Sequence, residues 1–68
     1  MNDEVKKVCM SEMVVLQAAL GRGYFDVSFG MGKVSLIKQI ALACDDVAMF
    51  EDANELGKRI NAKRKGAA

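Results

Sequence analysis

The chain has no histidine, no proline and no tryptophan, a single tyrosine and only two cysteines in 68 residues. Without histidine it lacks the one side chain whose ordinary pKa places a charge change near neutrality, and with it the usual acid–base group. No serine, cysteine or lysine stands beside a visible activating partner, as covalent catalysis requires. So short a chain also has little material to enclose a pocket of about 300 Å³ or more. The composition therefore predicts a protein that is not an enzyme and carries no cofactor.

The cysteines exclude more. Cys9 and Cys44 lie far apart with no Cys-x-x-Cys pair, and no histidine can complete a zinc site. Two cysteines do not make the dense framework of a small secreted domain, so both are read as small buried hydrophobes. No window approaches the roughly 18 apolar residues that cross a bilayer. The start, Met1-Asn2-Asp3-Glu4, is acidic and polar rather than basic and then apolar. A cytoplasmic protein without a secretory signal, acting away from membranes, is the expectation.

What remains is grease without a staple. Hydrophobic residues make up 51% of the chain, and the net charge is only +1. A single domain of this length, residues 1–68, buries only about 60% of the surface its unfolded chain exposes. Small scaffolds usually need disulfides, a metal or oligomerisation to persist. With the first two set aside, a homodimer is expected.

Residues 3–20 read as a helix, with Asn2 or Asp3 available as a cap and Asp3 and Glu4 favourably placed at the positive end of the dipole. Val5, Cys9, Met13, Leu16 and Leu20 form one stripe at helical spacing, widened by Val8, Val15 and Ala19. Met10, Val14 and Ala18 fall on another side. The segment 13–20 is thus apolar nearly all round, which predicts burial on several sides. Gly21 is expected to end the helix in a left-handed conformation.

The run Tyr24-Phe25-Asp26-Val27-Ser28-Phe29 alternates and is fenced by Gly21, Gly23, Gly30 and Gly32. Alternation with glycine turns at both ends predicts a strand over 24–29, with Phe25, Val27 and Phe29 on its apolar face. A second helix is expected over 33–44, with Ile37, Ile40 or Ala41, and Cys44 inward. Two readings compete after Asp45-Asp46. Either aspartate can cap a helix starting at Val47 with Met49, Ala53, Leu56 and Ile60 inward. Alternatively 47–50 is a short strand beside 24–29 and the helix covers 52–62, opened by the box-like Asp52-Ala53-Asn54-Glu55; this second start is preferred. Residues 63–68 read as a frayed basic tail. The expected class is α+β, mainly α: three helices with one or two short strands, completed by dimerisation through Met13, Val14, Leu16, Leu20, Phe25, Val27 and Phe29.

Several clusters carry residue types capable of chemistry. Gly30-Met31-Gly32-Lys33-Val34-Ser35 sits between a predicted strand and a predicted helix, but its spacing fails that of a phosphate-binding loop. Met31 is read either as a flexible contact at an exposed loop tip or as a side chain folded back onto the core. Asp45, Asp46, Glu51, Asp52 and Glu55 match no calcium loop and suit a helix N-terminus. Tyr24, Asp26 and Ser28 share the strand's outer face and, with Met31, are candidates for touching a partner. Lys58, Arg59, Lys63, Arg64 and Lys65 are candidates for nucleic-acid phosphates.

Function follows as one of two non-catalytic classes. The first is a small homodimeric interaction module that binds and modulates another, unidentified protein, as phage- or plasmid-type inhibitors and adaptors do. The second is a dimeric DNA-binding transcriptional regulator. For that class the order strand, helix, helix is similar to ribbon-helix-helix repressors, in which a paired ribbon enters the major groove. The similarity is one of element order alone. Asp26 on the groove-facing side, the absence of Lys or Arg from that strand, and the extra helix at 3–20 all depart from it. The interaction module is preferred.

Overall fold

The structure, a computed structural model, describes residues 3–22 and 25–67, the last four of these by backbone alone. It consists of three helices: α1 (Asp3–Leu20), α2 (Val27–Ala43) and α3 (Val47–Ala67). No strand occurs among the described residues. The expected α+β class is therefore corrected to an all-α small bundle.

α1 has the bounds its apolar stripe predicts. Cys9, Met13 and Leu16 are buried and Leu20 is half-buried against them. Gly21 follows, its N–H reaching the Gln17 carbonyl at 3.3 Å. Its φ lies outside the left-handed region, contrary to expectation.

The predicted strand is the largest correction. Tyr24 lies outside the described residues, and Val27, Ser28 and Phe29 are the first turn of α2. Asp26 explains the difference. Its Oδ1 accepts from the Phe29 N–H at 3.0 Å and its carbonyl accepts from the Gly30 N–H at 3.0 Å, so it is the N-cap. Once the helix opens there, Gly30, Val34, Ile37 and Ala41 fall on one buried stripe with half-buried Val27 and Met31 beside it. The glycines at 30 and 32 are helix interior rather than turns.

α2 ends in a Schellman arrangement. The Asp46 N–H reaches the Ala41 carbonyl at 2.9 Å and the Asp45 N–H the Leu42 carbonyl at 3.2 Å. Asp45, at φ 57°, takes the left-handed place usually held by glycine. Asp46 then caps α3, its Oδ1 accepting from the Met49 N–H at 3.0 Å. The start at Val47 is therefore the correct one, and the short strand over 47–50 and the later start at 52 are not. Met49, Ala53, Leu56 and Ile60 are buried, as the first reading requires. The helix also continues through Ala67, past the end expected at 62.

α2 and α3 form a close antiparallel hairpin. A β-carbon on Gly57 would stand 3.3 Å from Val34 Cγ1, and one on Gly30 would stand 3.3 Å from Ile60 Cδ1. Small residues at 30, 41, 53 and 57 are what let the two backbones approach. α1 lies across the hairpin on larger side chains. Lys6 Nζ reaches Asp46 Oδ2 (3.7 Å) at one end and Lys63 Nζ donates to the Leu20 carbonyl (3.2 Å) at the other. α1 therefore runs parallel to α3 and antiparallel to α2. The bundle is a rod of 38 × 16 × 16 Å.

Candidate interaction surface

Three helices of this length can hide only one stripe each. The buried set is Cys9, Met13 and Leu16 from α1, Val34, Ile37 and Ala41 from α2, and Met49, Ala53, Leu56 and Ile60 from α3. Apolar residues beyond those stripes must stand in solvent. They do: Leu42 and Val47 at the α2–α3 turn and Val14 on the α3 flank of α1 are exposed, and Val8 (62%), Val15 (60%), Phe29 (59%) and Leu36 (58%) are exposed as well, this last set on the α1–α2 side. Scattered exposed hydrophobics are ordinary, whereas grouped ones mark an interface.

The last four are grouped. The carboxylate of Glu12 pairs with the ammonium of Lys33, tying the middle of α1 to the first half of α2. Lys33 Nζ also lies 5.0 Å from the centre of the Phe29 ring, a cation–π contact. Since α1 and α2 are antiparallel, this pair sets their register. By that register and the rise of the helix, Val8 falls level with Leu36 one turn toward the N-terminus of α1, and Val15 level with Phe29 one turn the other way, all four exposed. Farther on, Val5 and Val8 share a surface hollow with Ile40. The α1–α2 face is thus largely apolar, with the Glu12–Lys33 pair across its middle and Glu4 in the hollow beside Ile40.

The other flank of α1 differs. Met10, Met13, Val14 and Gln17 line a groove with Asp52, Glu55 and Arg59 of α3. Two carboxylates there face one guanidinium, so its charge is predominantly negative.

The expected dimer contacts divide. Met13 and Leu16 are buried in the chain's own core, with Leu20, Phe25 and Val27 half-buried against it. Val14 and Phe29 are exposed. The segment 13–20 is accordingly covered on one side by α2 and α3 and open on the other, not surrounded. Val5, Val8, Met10, Val15, Leu36, Leu42 and Val47 are exposed and stand outside the expected dimer contacts; the signal available was apolar character outside the one stripe a helix can bury.

The partner-contact candidates scatter. Asp26 is occupied as a cap, Ser28 is exposed in the first turn of α2, and Tyr24 lies outside the described residues. Met31 is not at a loop tip. It is half-buried in α2 against the core, because residues 30–33 are helix. Lys33 of the same stretch is engaged by Glu12, and the α2 N-terminus carries the Asp26 carboxylate, so no phosphate cradle forms. The basic candidates are spread along α3: Lys58 and Arg59 are exposed, Lys63 is engaged with the Leu20 carbonyl, and Arg64 and Lys65 are described by backbone alone. Among the described residues no group of acidic or cysteine side chains is arranged to hold a metal ion.

Cys9 and Cys44 are free thiols, the first buried and the second half-buried. Burial pushes the Cys9 thiol above its ordinary value, and Cys44 and Glu12 push in the same direction. That is the opposite of what a nucleophilic thiol needs. No helix among the described residues is long and apolar enough to cross a membrane. No family of known proteins, no curated protein and no solved structure matches the chain.

Proposed function

We propose that the chain is a small non-enzymatic interaction module that binds another protein through the apolar surface its helices leave uncovered. The observation that carries this reading is the concentration of exposed large hydrophobics on α1, where Val5, Val8, Met10, Val14 and Val15 all reach solvent. A helix whose only task was to cover the α2–α3 hairpin would need just the stripe of Cys9, Met13 and Leu16. Free Cys9 and Cys44 agree with action in a reducing, cytosolic compartment.

The test compares immobilised wild-type protein with a Val14→Asp variant in lysate of the encoding organism, followed by mass spectrometry. Val14 is exposed, so the variant should keep its helicity. A protein retained by the wild type and lost by the variant supports the reading. Identical retention by both removes it.

A further inference from the structure

We propose that the α1–α2 face, centred on Glu12 and Lys33, is the seat of a second copy of this chain, related by a two-fold axis parallel to the helices. This rests on the reading of the chain as an interaction module and specifies one of its surfaces.

A two-fold contact must be complementary to itself. The α1–α2 face meets that condition because it carries one charge of each sign at its middle, flanked by apolar pairs on both sides. Glu12 and Lys33 keep 40% and 33% side-chain exposure, so each can take a second partner beside the one it has. The α1–α3 groove does not meet it: two copies would bring Asp52 and Glu55 toward the same pair.

Charge also selects the direction of the axis. An axis in the interface and perpendicular to the helices stacks α1 on α1 of the other copy, which sets Glu12 against Glu12 and Lys33 against Lys33. An axis parallel to the helices stacks α1 on the other copy's α2. Glu12 then meets Lys33 across the interface, Val8 meets Leu36, Val15 meets Phe29 and Val5 meets Ile40. The contacts between copies repeat the pairs within one copy, giving a square of four helices in which every adjacent pair is antiparallel. Like charges face each other in the first arrangement and opposite charges in the second, and only the second is favourable.

The area fits a modest contact. α1, 18 residues at about 1.5 Å each, makes the face about 27 Å long, and a width of 16 Å gives roughly 430 Å² in projection before side-chain relief is counted. That lies below the about 800 Å² per partner of a standard stable interface and in the range of weak association.

Sedimentation velocity with charge-reversed chains tests this. Wild type should run at twice 7.4 kDa. Lys33→Glu and Glu12→Lys should each weaken self-association at least about tenfold, since each puts like charges across the interface. An equimolar mixture of the two variants should recover the dimer, because every cross-interface pair is again of opposite sign while each chain's internal pair is not. Only contact between copies produces that recovery. Should either reversal cost the fold, seen as lost helicity, Leu36→Asp at an exposed position carries the test and should give a helical monomer.

Three results would overturn the proposal: a wild type monomeric to about 1 mM, the weak end of specific association; a mixture that stays monomeric while both variants are folded; or a Leu36→Asp protein that remains a dimer. A monomeric wild type whose Val14→Asp variant still loses a captured protein would end this proposal and leave the interaction-module reading in place.

Discussion

The ring of Phe25 occupies the space that a β-carbon on Gly30 would need. This contact folds the residue just before the α2 cap back onto the second turn of that helix, beside Ile60 of α3. It gives the glycine a packing reason for standing inside a helix. Gly30→Ala should therefore destabilise the protein by about 1–3 kcal/mol, the usual cost of overpacking, despite alanine's better helix propensity. Chemical denaturation followed by circular dichroism measures it. A more stable variant would mean that Phe25 does not sit there.

Gly32, two residues on in the same helix, should respond with the opposite sign. Nothing lies within 4 Å of where its β-carbon would be. Gly32→Ala should raise stability by about 0.5–1 kcal/mol, the ordinary helix-interior difference between the two residues. The pair of variants separates a glycine kept for close approach from one with no neighbour to make room for.

The α2–α3 turn makes a second contrast, between neighbouring aspartates. Asp46 caps α3 and also meets Lys6 of α1. Asp46→Ala should cost roughly 0.5–2 kcal/mol, the range for losing such a cap. Asp45 stands at φ 57°, a conformation that an L-residue adopts at a cost and glycine adopts freely. Asp45→Gly should be neutral to stabilising, by up to about 1 kcal/mol. If thermal unfolding ranks the two variants in the reverse order, the turn is not built this way.

The fold was legible wherever a stripe of apolar residues ran uninterrupted. α1 was fully readable because Cys9, Met13, Leu16 and Leu20 keep helical spacing and no glycine interrupts them. The inner face of α3 was readable for the same reason, and only its start was ambiguous, since Asp46 and Asp52 both make reasonable caps. The beginning of α2 is ambiguous in the sequence. Val27 and Phe29 alternate with Asp26 and Ser28, and six residues are too few to separate a strand from the first turn of a helix. The glycines at 30 and 32 favour a turn by composition although they lie inside the helix. A sequence does not distinguish a glycine needed for a turn from one needed for contact, and Gly30 and Gly57 are of the second kind.

The candidate surface was legible only in part. That apolar residues exceeded what the helices could bury was evident from the 51% hydrophobic content. Which ones stay outside was not, because Met13 and Val14 are adjacent and chemically alike while 100° of helix rotation sends one inward and one outward. The Glu12–Lys33 pair joins two helices, and no local spacing announces it.

The buried thiol gives the last prediction. Cys9 is buried beside Cys44 and Glu12, and burial first, then those neighbours, hold its pKa above the ordinary 9.0. The folded chain thus keeps this proton to higher pH than the unfolded chain does. Between the two values the folded state binds more protons, so raising the pH favours unfolding. The stability that the buried neutral thiol contributes is complete below the unfolded value and is lost as pH rises through the folded one. A Cys9→Ala variant should show a shallower fall in stability above about pH 9 than wild type, and the difference between the two curves isolates the effect of this thiol. At lower pH a thiol reagent should modify the half-buried Cys44 promptly and Cys9 only as the bundle opens. Equal rates for both thiols in the folded protein would place Cys9 at the surface and contradict the packing of α1.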